Sequence, residues 1–495
     1  MSVHESPARN VADLVRTSAA GDPQHVALID AATGASWTWR QVDGAVDAEA
    51  ARLVAAGLSR GDRVVVRLPT GAAFCVAVFG ALRAGAVAVP LGPGQPPREL
   101  ERVLGDSGAT LLVGDGEGAT GVRVLDAPDP DATAAGEFAA VGSGEDVAVL
   151  GYTSGTSGVP RGAMLSHRAL LANVAQCAAL RPAPVAAGDR VLLALPLFHV
   201  YGLGPGLFQV AGAGATGVLL ERFDAETALA AVRRHRVTTV VGVPPVYRAL
   251  LALPQDRLRE GLASVRLFTS GAAPLAAGVL DGVRRGVGLP VYEGYGLTET
   301  GPVLTSTLVG GLAKPGSVGS PLPGVELRLV DSDGSPLDLQ EDEPGTGLVS
   351  VRGANLFSGY WPDGAHGPAA DGWFRTGDVG YLDADGDLHL VDRAGDLIIV
   401  NGFNVYPHEV ERVLCELDEV AEAAAVGVPD ERTGETVKAV LVLAEGAELT
   451  PDEVVRHCAA RLARFKVPAV VEFADALPHT PTGKLVRSRL RGPLT

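Results

Sequence analysis

The first stretch with evident chemistry is a run of small hydroxyl residues and glycines, Thr153, Ser154, Gly155, Thr156, Ser157 and Gly158, with Arg161 shortly after it. Glycines let a backbone approach a ligand closely, and successive N–H and O–H donors can surround an oxyanion. Arg161 adds a positive charge. Because no Gly-Lys-Ser/Thr follows at the Walker A spacing, the run predicts a phosphate-binding loop of another kind.

A second stretch contains three groups that suit a magnesium nucleotide, namely Tyr295, Thr298 and Glu299. The tyrosine ring can stack on a base, the hydroxyl can reach a phosphate oxygen, and the carboxylate can hold Mg²⁺. Further on, Asp378 follows an Arg-Thr-Gly sequence. An acceptor-only carboxylate suits two hydroxyl donors on adjacent carbons. Together these residues predict a site for a magnesium nucleotide.

Lysine is rare in this chain, since only four of the 41 basic residues are lysines, at positions 314, 438, 466 and 484. Arginine is the default cation, which makes a lysine inside a motif informative. Lys484 ends the sequence Thr-Pro-Thr-Gly-Lys. Its ammonium is a compact point charge, and such a charge can stabilise a reacting oxygen. Lys484 is therefore a candidate catalytic residue.

The elements that must position these groups alternate between apolar strands and helical patterns up to about Gly316. This alternation indicates βαβ units with sheets buried on both faces. Short strands between Gly/Pro/Asp turns then predict a β-rich subdomain, and the tail reads as a compact α+β unit. We therefore expect an α/β fold with an N-terminal domain at 1–392 (subdomain 320–392), a hinge at 393–396 and a C-terminal domain at 397–495.

Composition limits the partners and the compartment. The formal net charge of -17 argues against nucleic acid or an anionic membrane as the main partner. The four cysteines are far apart, which argues against a disulfide framework and fits a cytoplasmic protein. The most apolar stretch, Ala72 to Leu91, contains an arginine, two glycines and a proline. It predicts a buried helix and strand, and no integral membrane segment.

The ordered motifs resemble the acyl-adenylate-forming (AMP-binding) superfamily from about Trp37 to Leu490, closest in style to bacterial fatty acyl-CoA synthetases. The resemblance implies that the Thr153–Gly162 loop binds the ATP phosphates, with Arg161 where lysine is usual. Glu299 would bind Mg²⁺. The resemblance further implies that Gly271, Ala272 and Ala273 form an adenine-side segment, that Tyr295 stacks on the base and that Thr298 contacts a phosphate. Asp378 and Arg393 would contact the ribose. Lys484 would bridge the substrate carboxylate and the α-phosphate, and Gly402 would belong to a pantetheine-side strand.

The resemblance also implies that the C-terminal domain rotates between two half-reactions. The position two residues after Arg393, usually Asp or Lys in the family, is Gly395 here. Glycine can absorb a large change in φ and ψ, so rotation remains the expectation. The polar side chain of a typical hinge residue is missing.

The carboxylic acid substrate is the feature that the sequence specifies least. The sequence Leu195 to Leu203 resembles the carboxylate end of the acyl pocket, and it offers Phe198 and His199 where amino-acid-activating relatives place an Asp. An α-amino acid is disfavoured, because an unpaired buried ammonium is costly. Gly202, Gly204, Gly206 and Gly242 predict room for an extended chain. A medium- or long-chain fatty acid is the first expectation, and an aryl or arylpropenoic acid is the second.

The predicted activity uses ATP, Mg²⁺ and a carboxylic acid to form an acyl-AMP, and then coenzyme A as thiol co-substrate. His199 is a further candidate catalytic residue, although an ordinary core histidine is an open alternative. Two other hypotheses also stay open. One is transfer to a carrier protein or another acceptor, and the other is a nucleotide-binding regulator without turnover. The sequence makes no prediction of oligomeric state.

Overall fold

The computed structural model describes residues 9–153, 160–337, 345–393, 395–401, 403–430, 432–480 and 483–492. The helices in this part of the chain are α1 (Asp13–Gly21), α2 (Trp39–Ala55), α3 (Ala72–Arg83), α4 (Pro97–Ser107), α5 (His167–Ala178), α6 (Gln209–Ala213), α7 (Ala225–His235), α8 (Pro244–Leu251), α9 (Gln255–Gly261), α10 (Ala277–Val287), α11 (Pro407–Leu414) and α12 (Pro451–Ala459).

The strands alternate with these helices through much of the chain. They are β1 (Val26–Asp30), β2 (Ser36–Thr38), β3 (Arg63–Arg67), β4 (Val87–Leu91), β5 (Leu111–Gly114), β6 (Arg123–Leu125), β7 (Val147–Thr153), β8 (Arg161–Ser166), β9 (Arg190–Leu193), β10 (Thr216–Leu219), β11 (Thr239–Gly242), β12 (Leu267–Ser270), β13 (Val291–Gly296), β14 (Val303–Ser306), β15 (Ser320–Pro321), β16 (Val325–Val330), β17 (Gly347–Gly353), β18 (Phe374–Leu382), β19 (Leu388–Arg393), β20 (Ile398–Val400), β21 (Phe403–Val405), β22 (Val420–Asp430), β23 (Gly434–Leu443) and β24 (Val470–Phe473).

The chain divides into two compact units. The first consists of Met1–Glu326 and Val351–Phe374, and the second of Leu327–Ser350 and Arg375–Thr495. The predicted domain boundary and hinge at 393–396 stay a prediction. The α/β fold class itself is confirmed, because βαβ-type sheets form the large N-terminal region and a small α+β region follows.

The first unit contains two large sheets. One has the order β6-β5-β3-β4-β7-β8, and only its β7–β8 pair is antiparallel. The other has the order β15-β14-β13-β12-β11-β9-β10-β1-β2 and is parallel from β13 to β1. The three valines of β3 and all of β4 are apolar and buried on both faces, as parallel strands covered by helices require. Ligands of such sheets usually bind beyond the carboxyl ends of the strands.

Local signals explain where several elements begin. Thr38 caps α2, and Gln41 completes a capping box that satisfies two backbone donors at the helix start. The apolar stretch from Ala72 forms α3 followed by β4, which confirms the predicted helix and strand. No helix among the described residues is long and apolar enough to cross a membrane.

The second unit contains most of a four-stranded sheet with the order β16-β17-β18-β19 and a five-stranded sheet with the order β21-β20-β23-β22, where β24 pairs with β23. The predicted β-rich subdomain and α+β tail are therefore present. Strand β18 was not predicted, because its Arg-Thr-Gly-Asp sequence is typical of a turn. The structure accommodates this sequence with a left-handed Gly377 and a bulge after Val379.

Candidate active site

An antiparallel hairpin in the first unit flanks the predicted phosphate loop. Strand β7 ends at Thr153 and β8 begins at Arg161, and these two residues are direct partners across the hairpin. The predicted loop residues Ser154, Gly155, Thr156, Ser157 and Gly158 lie outside the described part of the chain. Their phosphate contacts stay a prediction, while their two flanking residues are held by the β7–β8 ladder.

Thr298 packs on the strand that leads into this loop. Strand β13 ends at Gly296, and a 3-10 turn follows at Thr298–Thr300. A Cβ atom added to Gly151 would lie 2.5 Å from the Thr298 Cγ2 atom. The glycine therefore lets Thr298 lie directly against β7, which brings two separate predicted motifs together.

Glu299 is 9% exposed, and its carboxylate is held by a residue that the sequence analysis missed. The Tyr360 hydroxyl donates to Glu299 Oε1 at 2.5 Å. The guanidinium carbon of Arg161 lies 3.9 Å from the centre of the same tyrosine ring. Because Tyr360 is 61 residues from Glu299 in sequence, no spacing rule connects the two, and only the tertiary fold brings them into contact.

The side chains here fit a magnesium ion bound together with a nucleotide. Among the described residues, no group of three or more His, Cys, Asp or Glu side chains is arranged to hold a metal. Mg²⁺ commonly uses only one or two carboxylates, with substrate phosphates and waters completing the octahedron. A buried Glu299 carboxylate close to the flanks of a phosphate loop matches that requirement, so its metal role stays our proposal.

Arg161→Lys is expected to weaken ATP binding only by about three- to fivefold. Lysine keeps the positive charge but loses the flat stacking of the guanidinium on Tyr360, which at a partly exposed site is worth about 0.5–1 kcal/mol. Isothermal titration with a non-hydrolysable ATP analogue measures the change. Abolished binding would show that the guanidinium makes a specific contact that lysine cannot replace.

The predicted adenine-side segment follows a strand that neighbours the strand of Tyr295. Strands β12 and β13 are parallel, and Gly271, Ala272 and Ala273 come directly after β12. Ala272 has a φ of 67°, which is uncommon for a residue with a side chain. Tyr295, near the end of β13, is 8% exposed. The structure thus brings this segment and Tyr295 to the carboxyl ends of adjacent strands.

Glu293 connects this segment to β13 and was not predicted as a site residue. Its Oε2 atom accepts a hydrogen bond from the Leu275 N–H at 3.1 Å, and the residue is 5% exposed. Burial raises the pKa of Glu293 to about 7, and the Leu275 N–H acts in the opposite direction. Among the described residues, Glu293 Oε1 and the neighbouring Ser270 Oγ have no hydrogen-bond partner, which agrees with a destabilised carboxylate.

The raised pKa of Glu293 predicts a specific pH dependence. Its ordinary value is 4.5 and its folded value is about 7. The contribution of Glu293 to the free energy of unfolding of the wild-type protein should therefore be fully present below pH 4.5. It should be lost as the pH rises through about 7. Glu293→Gln mimics the protonated form. From acidic to mildly basic pH, its free energy of unfolding should rise relative to the wild type by about 3 kcal/mol, the free energy that corresponds to the difference between the two pKa values. Urea denaturation across this range tests it, and a pH-independent difference would contradict it.

His199 lies in the segment predicted to form the carboxylate end of the acyl pocket. Its Nδ1 atom accepts the Tyr201 N–H at 3.2 Å. In the neutral ring the proton is therefore on Nε2. The ring of Phe198 lies against Gly92, where an added Cβ atom would be 2.9 Å away. The catalytic role of His199 stays a prediction.

The glycines predicted to leave space for an extended chain are closely packed against other protein atoms. An added Cβ atom would lie 2.4 Å from Pro196 O at Gly202 and 2.7 Å from Pro302 Cδ at Gly204. At Gly206 the nearest atom belongs to Leu193 at 3.1 Å, and at Gly242 it is the Tyr247 hydroxyl at 2.8 Å. These glycines permit close packing, and neighbouring protein atoms fill the space that side chains would take.

Two tyrosines flank β12 next to these glycines. Tyr247 is completely buried, and its hydroxyl donates to the Thr269 carbonyl oxygen. Burial raises the pKa of the Tyr201 hydroxyl, and the Thr269 side chain acts in the opposite direction. A Cβ atom at Gly271 would lie 2.8 Å from the Tyr201 ring. Aromatic rings therefore pack against both the β11 end and the adenine-side segment.

In the second unit, the two predicted ribose contacts are neighbours. Asp378 on β18 and Arg393 on β19 are direct partners. Arg393 Nε lies 3.1 Å from Asp378 Oδ1, and Asp378 is 5% exposed. The ion pair orients an otherwise buried carboxylate. The structure therefore brings together two residues that the sequence places fifteen positions apart.

Lys484 lies in the same unit at a tight turn. The Thr480 N–H donates to Lys484 O at 2.8 Å, and the Lys484 N–H donates to Thr480 Oγ1 at 3.0 Å. Gly483 has a φ of 82°, which favours glycine at this position. The Lys484 side chain is exposed. A backbone held by these two bonds beneath an exposed side chain suits a residue that reaches a ligand from the surface of its unit.

The predicted hinge and thiol-side strand are described only in part. Arg491 Nη2 lies 3.3 Å from Gly395 O and 3.5 Å from Asp396 Oδ1. Gly402 lies outside the described residues, between β20 and β21. The rotation and the pantetheine contact therefore stay predictions.

Comparisons with known proteins extend the resemblance to the whole chain. The AMP-binding enzyme family matches residues 15–361, and the AMP-binding enzyme C-terminal domain matches residues 409–484. A feruloyl-CoA synthase from Amycolatopsis sp is 38% identical, with 92% of this chain and 94% of that protein covered. A long-chain-fatty-acid–CoA ligase from Yersinia pestis is 34% identical, with 88% and 86% covered.

A solved structure agrees with these matches. The o-succinylbenzoate CoA synthetase of Bacillus subtilis, in complex with its acyl-adenylate intermediate, superimposes with a TM-score of 0.85. It is 30% identical, and 99% of both chains is covered. The two family matches, the sequence identities and the order of the motifs all support the same assignment. The chain belongs to the AMP-binding enzyme family.

Proposed function

We propose that this AMP-forming acyl-CoA synthetase activates an aryl or arylpropenoic acid and transfers the acyl group to coenzyme A. The main structural support is the aromatic packing beside β12, where the half-buried Tyr201 ring lies against Gly271 of the adenine-side segment. A flat acid suits an aromatic neighbour, because offset or edge-on aromatic pairs are favoured beyond simple burial.

The relatives favour the same class of acid. The feruloyl-CoA synthase, whose name specifies an arylpropenoic acid, is 38% identical to this chain, while the long-chain-fatty-acid ligase is 34% identical. The solved acyl-adenylate complex also has an aromatic acid. A fatty acid, the first expectation from the sequence, therefore becomes the second candidate, supported by the long-chain relative.

In the first half-reaction, a carboxylate oxygen of the acid attacks the α-phosphorus of ATP and pyrophosphate leaves. Arg161 and the loop donors would hold the phosphates, and Asp378 with Arg393 would hold the ribose. Glu299 would hold Mg²⁺, whose charge offsets that of the phosphates. Lys484 would stabilise negative charge between carboxylate and α-phosphate as the new bond forms.

In the second half-reaction, the thiol of coenzyme A attacks the acyl carbon of the adenylate, and AMP leaves. The adenylate makes this step accessible because AMP is a far better leaving group than oxide. His199 lies in the segment predicted to face the acid's carboxylate, with Nε2 as the proton-bearing atom of the neutral ring, so it would donate a hydrogen bond to a carboxyl oxygen.

A substrate panel tests the choice of acid. Pyrophosphate release is measured with ferulate, 4-coumarate, benzoate, octanoate and palmitate at matched concentrations. We expect kcat/KM for the best aromatic acid to exceed that for both fatty acids by about tenfold or more, a difference of about 1.4 kcal/mol. A preference for palmitate would contradict the proposal and favour the second candidate.

The acceptor requires a separate measurement. Thioester formation from a purified acyl-AMP is followed by mass spectrometry with coenzyme A and with a phosphopantetheinylated carrier protein. We expect the CoA thioester to form. Acylation of the carrier protein alone would contradict the CoA assignment while leaving adenylate formation intact.

A further inference from the structure

Tyr360 lies between two opposite charges of the first unit. Its ring faces the Arg161 guanidinium, whose carbon is 3.9 Å from the ring centre. Its hydroxyl donates to Glu299 Oε1 at 2.5 Å. One side chain thus contacts both the cation beside the phosphate loop and the carboxylate proposed to bind Mg²⁺.

The backbone around Tyr360 is fixed by several hydrogen bonds. The Tyr360 N–H donates to Ala365 O at 3.0 Å, and the Gly364 N–H donates to Tyr360 O at 2.8 Å. The next residue, Trp361, donates from its N–H to Gly162 O at 2.8 Å, which joins the segment to β8. The ring itself packs edge-on against Phe357, with centroids 5.1 Å apart. The position of the phenol is therefore set by contacts of its own segment.

The Glu299 side is held by the same segment. The Phe357 N–H donates to Glu299 O at 3.0 Å, so the 3-10 turn and the Tyr360 segment are joined through backbone as well as side chains. A guanidinium and a carboxylate without such a spacer tend to form a direct bidentate pair. That pair would neutralise both groups and withdraw them from a phosphate and a metal ion.

We infer that Tyr360 is a positioning residue for the reaction. Its hydroxyl orients the Glu299 carboxylate towards Mg²⁺, and its ring keeps the Arg161 guanidinium beside the phosphate loop and out of a direct ion pair with Glu299. Hydrogen bonds of this kind to a metal-binding carboxylate typically affect metal affinity by 10–100-fold. The inference rests on the proposed ATP-dependent reaction for the identity of the two ligands.

Two variants separate the hydroxyl from the ring. Tyr360→Phe removes the hydrogen bond and keeps the ring, whereas Tyr360→Leu removes both. Mn²⁺ binding, used in place of Mg²⁺, is measured by electron paramagnetic resonance with α,β-methylene-ATP present. Binding of the same analogue without metal is measured by calorimetry in EDTA. Neither readout depends on turnover.

We expect Tyr360→Phe to raise the Kd for Mn²⁺ about tenfold and to leave metal-free nucleotide binding unchanged. Tyr360→Leu should show the same loss of metal affinity and, in addition, a nucleotide Kd raised about three- to fivefold. The matched control is Tyr152→Phe, which removes a hydroxyl on β7 that donates to Asp106 Oδ2 of α4 at 2.6 Å. This control should change neither constant.

Wild-type Mn²⁺ affinity in Tyr360→Phe would overturn the inference, as would an equal loss in the Tyr152→Phe control. Thermal melting of each variant shows whether a loss reflects unfolding, and Tyr360→Phe keeps the contact with Phe357. A wild-type protein that binds no nucleotide would contradict the proposed reaction and this inference together. Failure of this inference alone can therefore be distinguished from failure of the proposed reaction, because only the second includes a wild-type protein that binds no nucleotide.

Discussion

Lys484→Ala is expected to lower the rate of acyl-adenylate formation by about 10²- to 10³-fold, the usual cost of removing one group that stabilises developing charge. Binding of ATP should change little, because the lysine acts on charge that appears only when the carboxylate attacks. The pre-steady-state burst of pyrophosphate measures the first quantity, and equilibrium titration with an ATP analogue measures the second.

Lys466→Ala is the matched control for this experiment. Lys466 is another of the four lysines, and its ammonium pairs with Glu409 at 2.6 Å within the second unit. We expect the control to retain the burst. Equal losses of ATP binding and adenylate formation in Lys484→Ala would mean that the lysine serves binding alone.

Asp378→Asn should raise the Kd for ATP by about 10–100-fold, since hydrogen bonds to a charged group are worth about 1.5–3 kcal/mol. The neutral amide also leaves the Arg393 guanidinium without its carboxylate partner. The sharper measurement compares ATP with 2′-deoxy-ATP. The wild-type protein should bind the deoxy nucleotide more weakly, and the variant should bind both about equally.

Asp383→Asn provides the control for the ribose prediction. Asp383 follows β18 directly and pairs with His389 of β19 at 2.8 Å, so its loss perturbs the sheet without removing the proposed ribose contact. We expect this control to keep the preference for ATP. An Asp378→Asn protein that still discriminates between the two nucleotides would place the ribose elsewhere.

Much of the fold was predictable because its signals are local. The apolar stretch from Ala72 gave the expected helix and strand. Parallel strands buried on both faces produce continuous apolar runs that are easy to recognise. Strand β18 was harder, because Gly377 and Asp378 are typical turn residues that the bulged strand accommodates.

The candidate site was predictable as motifs and less so as contacts. The structure brings Asp378 and Arg393 next to each other, and it packs Thr298 against β7. Tyr360 and Glu293 had no sequence signal, because their roles come from partners far away in the chain. A glycine-rich sequence indicates close approach, and the approaching group near Gly242 is the Tyr247 ring, which no pattern in the sequence specifies.

Transfer of isotope from the acid to AMP tests the central claim most directly. Ferulate labelled with ¹⁸O at both carboxyl oxygens is incubated with ATP, coenzyme A and enzyme, and the products are analysed by mass spectrometry. If the acid is activated as an adenylate, each AMP should contain one ¹⁸O atom, and the CoA thioester should retain the other. Unlabelled AMP, or the appearance of ADP and phosphate in its place, would contradict the account.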